Sequence, residues 1–164
     1  LCILENKSFK DNRGYFKELL KENKIKKKFL FSVMSYSKKN VIRGLHLQTK
    51  KSQDKLVGVI KGRILDVVVD LRKKSKTFGK HFKIILSSKN AKYLYIPKGF
   101  AHGFMGLEKE NIVLYSCSNY RNAKYERSIK WNDKDLNINW TTKKPIISKR
   151  DSLALSLKEF IKKN

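Results

Sequence analysis

Three polar residues with acid, base and anion-binding chemistry interrupt two neighbouring apolar runs of the chain. Arg43 and His46 lie in the run 41–48, and Lys55 begins the run 55–60. A histidine titrates near neutral pH and can remove a proton when a carboxylate orients it, whereas arginine and lysine hold anions. Together they could deprotonate an anionic substrate and hold the charge that develops. A hydrogen-bonded core histidine and a surface lysine are the alternative interpretations of His46 and Lys55.

The elements that must position these residues are short strands. Apolar runs of strand length, bounded by glycine, proline, asparagine and serine, predict strands over residues 29–37, 41–48, 55–60, 63–70, 81–87, 93–96 and 112–118. Turn signals such as Lys61-Gly62 and Pro97-Lys98-Gly99 separate them. Regular spacing of short strands predicts an all-β fold, an antiparallel sandwich or barrel.

Helix signals are confined to the two ends of the chain. Residues 16–24 are ambiguous, and residues 152–162 are predicted to form a helix with Asp151 or Ser152 as its N-cap. The length of 164 residues, without a linker or repeat, predicts that residues 1–164 form one domain.

Strict alternation places Arg43 and His46 on opposite faces of their strand. Both can enter one site only if the strand contains a bulge, for which Gly44 is the candidate. Otherwise Arg43 serves elsewhere.

The chain is strongly basic, with 39 Lys and Arg against 14 Asp and Glu and a formal net charge of +25. Such a field attracts polyanions, including nucleic acid. The lysines are spread over the whole chain, however, and arginines, which read phosphates and bases best, are few. The pattern favours a lysine-coated surface over a nucleic-acid partner, and it would still attract a small anionic substrate.

Two distant cysteines, Cys2 and Cys117, provide neither a disulfide framework nor a zinc-binding spacing, and indicate free thiols in a reducing compartment. The sequence contains no apolar run of the ~18 residues that a membrane span needs. It shows no signal-peptide pattern either. We therefore expect a cytoplasmic protein without a membrane partner.

Seven blocks of the sequence together resemble the dTDP-4-dehydrorhamnose 3,5-epimerase family. They are DNRGYF (11–16), RGLHLQ (43–48), KLV (55–57), DVVVDLR (66–72), SKTFG (75–79), IPKGFAHGF (96–104) and WND (131–133). The resemblance implies a cupin jelly-roll β-sandwich, with short helices near the N-terminus and at the C-terminus, that assembles as a homodimer. It also implies a cofactor-independent epimerase of nucleotide-diphosphate 4-keto sugars, serving capsule, lipopolysaccharide or other surface polysaccharide synthesis.

The chemistry of such an epimerase needs few groups. A 4-keto group acidifies the protons on C3 and C5, because the carbanion is delocalised as an enolate. Inversion then needs a base on one face of the carbon, a proton donor on the other, and positive charge near the ketone oxygen. The resemblance implies that His46 is the base, oriented by Asp151. It makes Tyr115 the general acid and places Lys55 near the ketone oxygen.

The resemblance also implies a set of substrate-binding residues. These are Arg13, Phe16, Glu18, Arg43, His102 and Glu126. Arginine suits a diphosphate because its guanidinium binds two oxygens at once, and Phe16 would pack on the base. Metal-binding cupins carry His-x-His and a following glutamate at the central motif. Here Gln48 occupies the second histidine position, and no glutamate lies between residues 48 and 62, so no metal is expected.

The sequence departs from the family in the wall of the expected pocket. Phe31 and Val33 occupy positions where a glutamine and an asparagine are usual, and Tyr120-Arg121 replaces a pair of aromatics. Losing polar contacts predicts an altered specificity. The substrate therefore stays open between dTDP-4-dehydro-6-deoxyglucose and a GDP-linked 4-keto-heptose, and inversion could occur at C3, C5 or both. A sugar-nucleotide ketoisomerase and a non-catalytic basic cupin binding module are the alternative functions.

Overall fold

Two antiparallel sheets form the body of the protein in the computed structural model, which describes residues 1–19 and 22–163. The strands are β1 (Cys2–Glu5), β2 (Ser8–Asp11), β3 (Gly14–Lys17), β4 (Phe31–Lys38), β5 (Ile42–Gln48), β6 (Lys55–Lys61), β7 (Arg63–Asp70), β8 (His81–Ser87), β9 (Lys92–Ile96), β10 (Phe100–Gly106), β11 (Glu110–Cys117) and β12 (Glu126–Ser128). The helices are α1 (Glu22–Ile25), α2 (Lys149–Ser152) and α3 (Leu157–Lys163), with a 3-10 turn over Ala123–Tyr125.

The strand order places the candidate residues on sheets that face each other. One sheet has the order β1-β9-β6-β11-β4 and carries Lys55 and Tyr115; the other has the order β12-β5-β10-β7-β8 and carries His46 and His102. Strands β2 and β3 form a separate hairpin. The predicted all-β sandwich with short helices near both ends is confirmed.

Each sheet buries alternate side chains, and this produces two cores. Between the sheets, Val57, Val59 and Val113 of one sheet pack against Val68 and Phe104 of the other. On the outer face of the β5 sheet, a second core contains Leu45, Leu47 and Val67 together with residues that follow β12, including Leu136, Trp140, Leu157 and Phe160. The C-terminal part of the chain therefore covers the sheet that carries His46.

The predicted C-terminal helix over residues 152–162 is confirmed for its second part, α3 (Leu157–Lys163), but residues 153–156 are not helical and separate it from α2. Leu155 instead pairs with strand-like backbone: its N–H donates to Ser128 O, and its carbonyl accepts from Lys130 N. The second helix begins with a capping box, in which the side chains of Ser156 and Glu159 each bond to the backbone N–H of the other residue.

Several strands carry no readable alternation in the sequence. Strand β10 was not predicted because it is rich in small residues and buried along nearly its whole length, which removes the polar half of the pattern. Strands β1, β2, β3 and β12 have only three or four residues each. The ambiguous stretch 16–24 ends β3 and enters α1, and its residues 20 and 21 lie outside the described residues.

Within the described ranges 1–19 and 22–163, no helix is long and apolar enough to cross a membrane.

Candidate active site

A bulge in β5 turns Arg43 and His46 toward the same side. The pairing with β10 joins His102 to His46 and then Phe104 to Arg43, so β5 advances three residues while β10 advances two. Gly44 sits in this step with a φ of +138°, where a side chain would be strained. A Cβ there would also lie 2.5 Å from Gly103 Cα. Strands β5 and β10 approach each other so closely here that only glycine fits at position 44.

His46 is held by a buried carboxylate from the C-terminal segment. Its Nε2 atom lies 2.6 Å from Asp151 Oδ1, and the second carboxylate oxygen accepts from the backbone N–H of Gly44 at 3.3 Å. Burial disfavours ionisation of Asp151, but the hydrogen bond and charge of His46 outweigh it and lower the carboxyl pKa. The His46 side chain keeps 33% of its surface exposed, so the ring is open to a substrate.

The short helix α2 places Asp151 for this contact. Ser148, not Asp151 or Ser152, is the N-cap: its hydroxyl accepts from the backbone N–H of Asp151 at 3.1 Å. The expectation that Asp151 or Ser152 caps a helix is therefore wrong. The cap leaves the Asp151 carboxylate available for His46.

A second histidine–carboxylate pair lies beside the first. His102 is the cross-strand neighbour of His46, and its Nε2 is 2.9 Å from Asp66 Oδ2. Both side chains are almost completely buried, and the other oxygen of Asp66 has no hydrogen-bond partner among the residues that the structure describes. Sequence reasoning did not single out Asp66. Its position in a buried apolar strand, where an unpaired carboxylate is costly, was the available signal.

Tyr115 approaches from the opposite sheet. Its ring meets that of His102 edge-on, with centroids 5.9 Å apart, and its hydroxyl lies 3.2 Å from Ser35 Oγ. Burial raises the pKa of Tyr115 well above the ordinary value, so the hydroxyl keeps its proton at neutral pH. A protonated phenol can reprotonate a carbanion, which is a far stronger base.

Lys55 begins strand β6 on the face that it shares with Val57 and Val59, as alternation predicts. Burial lowers its pKa, while the charges of Cys117 and Asp66 partly offset this effect. An ammonium group in such surroundings stabilises a nearby negative charge more than it would in water.

These side chains line one cavity of about 790 Å³ between the sheets and the C-terminal segment. Its lining includes Arg43, His46, Lys55, His102, Tyr115, Glu126 and Asp151. Four cationic side chains, those of Arg43, Lys55, Arg121 and Arg150, face two carboxylates there. The excess of positive charge suits an anion of the size of a diphosphate ester.

Glu126 joins two arginines at this cavity. Its carboxylate accepts from Arg121 Nε and Nη2 at 2.6 and 3.0 Å and lies 2.9 Å from Arg150 Nη1. The bond with Arg121 is the main cause of its lowered pKa. Arg43 is restrained differently, by Ser37 Oγ at 2.9 Å and the carbonyl of Tyr36 at 2.9 Å.

Three of the expected substrate-binding residues lie away from this cavity. Arg13 and Phe16 belong to the β2–β3 hairpin, and Glu18 directly follows it. Arg13 pairs with Asp11 at 2.7 Å, and Phe16 is 68% exposed. The structure does not bring these residues to the cavity of their own chain.

Among the residues that the structure describes, no three His, Cys, Asp or Glu side chains group in a way that could hold a metal ion.

The arrangement places a base and an acid on opposite walls of one cavity. His46 with its carboxylate stands on one sheet, and the Tyr115 hydroxyl stands on the other. A carbon held between them could lose a proton to one wall and regain one from the other, with Lys55 holding the intermediate charge.

Comparison with known proteins agrees with this geometry. The model of the dTDP-4-dehydrorhamnose 3,5-epimerase family matches residues 1–159. The enzyme of that name from Shigella flexneri is 42% identical over 158 residues, covering 92% of this chain and 87% of its own. The solved dTDP-6-deoxy-D-glucose-3,5-epimerase of Legionella pneumophila, in complex with dTDP-4-keto-L-rhamnose, has a TM-score of 0.92 at 37% identity. That match covers 95% of this chain and 87% of the other.

A more distant solved structure has a different specificity. ChmJ, a 3'-monoepimerase from Streptomyces bikiniensis in complex with dTDP-quinovose, has a TM-score of 0.91 at 25% identity, covering 98% of this chain and 85% of its own. The same fold therefore occurs in proteins named for inversion at two carbons and at one.

Proposed function

The chain belongs to the dTDP-4-dehydrorhamnose 3,5-epimerase family, and we propose that it inverts C3, C5 or both in a 4-keto sugar carried on a nucleoside diphosphate. It is an isomerase of sugar nucleotides by this membership. The observation that carries the proposal is the placement of His46–Asp151 and Tyr115 on opposite walls of one cavity.

In the proposed reaction, His46 removes the proton from the carbon beside the ketone. The electron pair of that C–H bond forms the carbon–carbon double bond of the enolate, and negative charge develops on the former ketone oxygen. Lys55 stabilises this oxygen. Tyr115 then donates its hydroxyl proton to the opposite face of the carbon, the ketone re-forms, and the centre is inverted. Proton exchange with water returns His46 and Tyr115 to their starting states.

His102, with Asp66 behind it, is proposed to bind the sugar beside His46, because the two histidines are cross-strand neighbours. Arg43 is proposed to bind the diphosphate. Glu126 is proposed to contribute by holding Arg121 and Arg150 toward the same anion. We also propose that residues 1–164 form a single cupin domain.

The deciding experiment is incubation with dTDP-4-dehydro-6-deoxyglucose in deuterated water, followed by NMR. We expect deuterium at C3 and C5, and its loss in His46→Asn. His81→Asn is the matched control, since His81 begins the outer strand β8. Label at one carbon would identify a single-centre epimerase. Undiminished exchange in His46→Asn would overturn the role of His46 as the base.

A GDP-linked 4-keto-heptose is the second candidate substrate. The observation that favours it is the apolar wall formed by Phe31 and Val33, where the family usually has amides. The same exchange experiment with the GDP-linked sugar tests it. Either product would suit capsule or lipopolysaccharide synthesis, and the two free thiols, Cys2 and Cys117, support a reducing, cytoplasmic setting.

We also propose a homodimer in which the hairpin of one chain completes the cavity of the other. The edge strand β4 and the hairpin expose large apolar side chains, including Phe9, Phe16 and Met34. Arg13, Phe16 and Glu18 would then reach a cavity that their own chain does not offer them. Light scattering should give twice the chain mass of 19.2 kDa.

Mixing two inactive variants tests the shared site. Arg13→Ala and His46→Asn, unfolded and refolded together, should recover activity, because one cavity of a mixed dimer is intact. Activity that does not recover would place Arg13 and His46 in the same site of one chain or outside the reaction.

A further inference from the structure

A buried carboxylate stands directly before the proposed enolate stabiliser, and no step of the proposed reaction uses it. Asp54 is 9% exposed and precedes Lys55, the first residue of β6. Its Oδ1 atom accepts from the Tyr95 hydroxyl at 2.9 Å and from the backbone N–H of Lys98 at 3.1 Å. Its Oδ2 atom accepts from Ser118 Oγ at 3.1 Å. A buried carboxylate is costly unless it is bonded in this way, so these contacts hold Asp54 in one place.

The backbone of Asp54 is fixed by the same serine. The Asp54 N–H donates to Ser118 Oγ at 2.8 Å, and the Ser118 N–H donates to the Asp54 carbonyl at 3.0 Å. One residue further along the ladder, Lys55 pairs with Cys117 on one side and with Ile96 on the other. Asp54 therefore ties the start of β6 to the ends of β11 and β9.

Asp54 supports Lys55 from the face of the sheet that is turned away from the cavity. Gln53 and Lys55, the residues on either side of Asp54, both line the cavity. Because consecutive side chains along an extended chain point to opposite faces, the Asp54 carboxylate points away from the cavity, where the Tyr95 hydroxyl meets it. Asp54 is thus placed to act on Lys55 through the backbone, without touching the substrate.

The position of Lys55 in its strand makes such support important. Lys55 is the first residue of β6, and the ends of elements open more readily than their centres. Its ammonium stands on a flexible four-carbon stem, so a movement of the backbone also moves the charge. A group that holds a developing negative charge must be in place before the reaction, and a displacement of about 1 Å can cost about 10²-fold in rate.

We propose that Asp54 is a positioning residue of the epimerase, which fixes the start of β6 so that the Lys55 ammonium meets the ketone oxygen as the enolate forms. The proposal rests on the proposed function, because it concerns how the same reaction is supported. A purely structural carboxylate would lower stability when removed and leave the chemical step unchanged. A positioning residue lowers kcat through Lys55, and its effect disappears when Lys55 is already replaced.

A double-mutant cycle separates these two roles. The measurement is the rate of deuterium incorporation into dTDP-4-dehydro-6-deoxyglucose as a function of substrate concentration. Asp54→Ala should lower kcat by about 10- to 10²-fold with little change in KM, because Lys55 acts on charge that develops only in the reaction. In the Lys55→Met background, Asp54→Ala should lower kcat no further. Asp54→Asn keeps an acceptor oxygen for Tyr95 and Lys98 and should recover part of the loss.

Asp133→Ala is the matched control, since Asp133 is also a buried carboxylate but lies in the outer core. It accepts three backbone N–H bonds, from Asp135 at 3.0 Å, Leu136 at 3.1 Å and Leu157 at 2.8 Å. This variant should lose stability in urea unfolding and keep its kcat. Tyr95→Phe removes one bond to Asp54 and serves where Asp54→Ala does not fold. It should cause a smaller loss of kcat that also disappears in Lys55→Met.

Two results would overturn the proposal and leave the proposed function intact. One is an unchanged kcat in folded Asp54→Ala. The other is the same factor of loss from Asp54→Ala whether Lys55 is present or replaced by methionine, which would indicate a structural role alone. An unaltered protein that incorporates no deuterium would instead overturn the proposed function.

Discussion

His46 Nε2 and Asp151 Oδ1 lie 2.6 Å apart although 105 residues separate them in the chain. The contact exists because Ser148 caps α2 and directs the third residue of that helix back to β5, where Gly44 N–H binds the other carboxylate oxygen. Asp151 thus holds both the ring and the backbone of the bulge. The proposed base and the strand irregularity that positions it share one anchor.

Asp151→Asn is expected to lower kcat for epimerisation by about 10²- to 10⁴-fold, the range for disabling an oriented general base. The amide keeps the size of the carboxylate and loses its charge, so the His46 ring is oriented less well as a base. KM should change little, because Asp151 contacts no part of the substrate in the proposed reaction. Steady-state kinetics measures both.

Asp135→Asn is the matched control, since Asp135 is a partly exposed aspartate whose carboxylate lies 3.3 Å from Lys158. It should retain full activity. Equal losses of kcat in both variants would contradict an orienting role for Asp151.

Tyr115→Phe should separate exchange from inversion. His46 can still remove the proton and return one from water to the same face, so deuterium enters without a change of configuration. Formation of the inverted product should fall by about 10²- to 10⁴-fold. NMR distinguishes labelled starting material from labelled product. Tyr36→Phe removes a hydroxyl bonded to Glu110 outside the reaction and serves as control. Rapid inversion by Tyr115→Phe would exclude Tyr115 as the donor.

Lys55→Met should remove activity and raise stability at neutral pH. The loss in kcat should be about 10²-fold or more, as for other groups that hold a developing negative charge. Stability should rise because burial lowers the Lys55 pKa, so the folded state bears a cost for the charged ammonium that the unfolded chain does not. Below the folded pKa this cost is complete, and above the ordinary value of 10.5 it is gone. Urea unfolding should therefore show the advantage of Lys55→Met shrinking as pH rises through that window.

Lys61, at the other end of the same strand, provides a control because its pKa is shifted in the opposite direction. Its pKa is raised by Glu110, with which it forms an exposed ion pair. Any stability from that pair is present below the ordinary value of 10.5 and is lost as pH rises through the raised pKa. Lys61→Met should therefore keep activity and gain relative to the unaltered protein at high pH. The same pH trend in both variants would contradict the account of Lys55.

Gly44→Ala should cost more stability than an ordinary glycine replacement and should also lower kcat. Gly79→Ala is the matched control, because Gly79 also has positive φ, +75°, but a Cβ there would meet only Leu157 Cδ2 at 3.9 Å. The control should lose about 1–2 kcal/mol from the left-handed backbone alone. Gly44→Ala adds a contact of 2.5 Å with Gly103 Cα, so the backbone of β5 or β10 must shift beside the site. Urea unfolding measures the loss of stability, and steady-state kinetics measures the loss of kcat. Equal losses in Gly44→Ala and Gly79→Ala would contradict a close approach of β5 and β10 at Gly44.

Much of this protein was readable from local pattern. Alternating apolar runs predicted the all-β sandwich, and seven ordered motifs predicted the epimerase family that the comparisons confirm. Alternation also placed Lys55 on the inner face with Val57 and Val59. These features depend on the period of side chains along a strand and on residue types within a few positions, so the linear sequence contains them.

Other features were decided only when distant segments met. The bulge that turns Arg43 inward depends on the backbone of β10, and the partner of His102 is Asp66 from a third strand. The C-terminal helix is broken because Leu155 pairs with backbone beside β12. The sequence by itself therefore determined the fold class and the kind of reaction. The tertiary structure decided which walls the base and the acid occupy, because each contact joins residues whose separation in the chain carries no local signal.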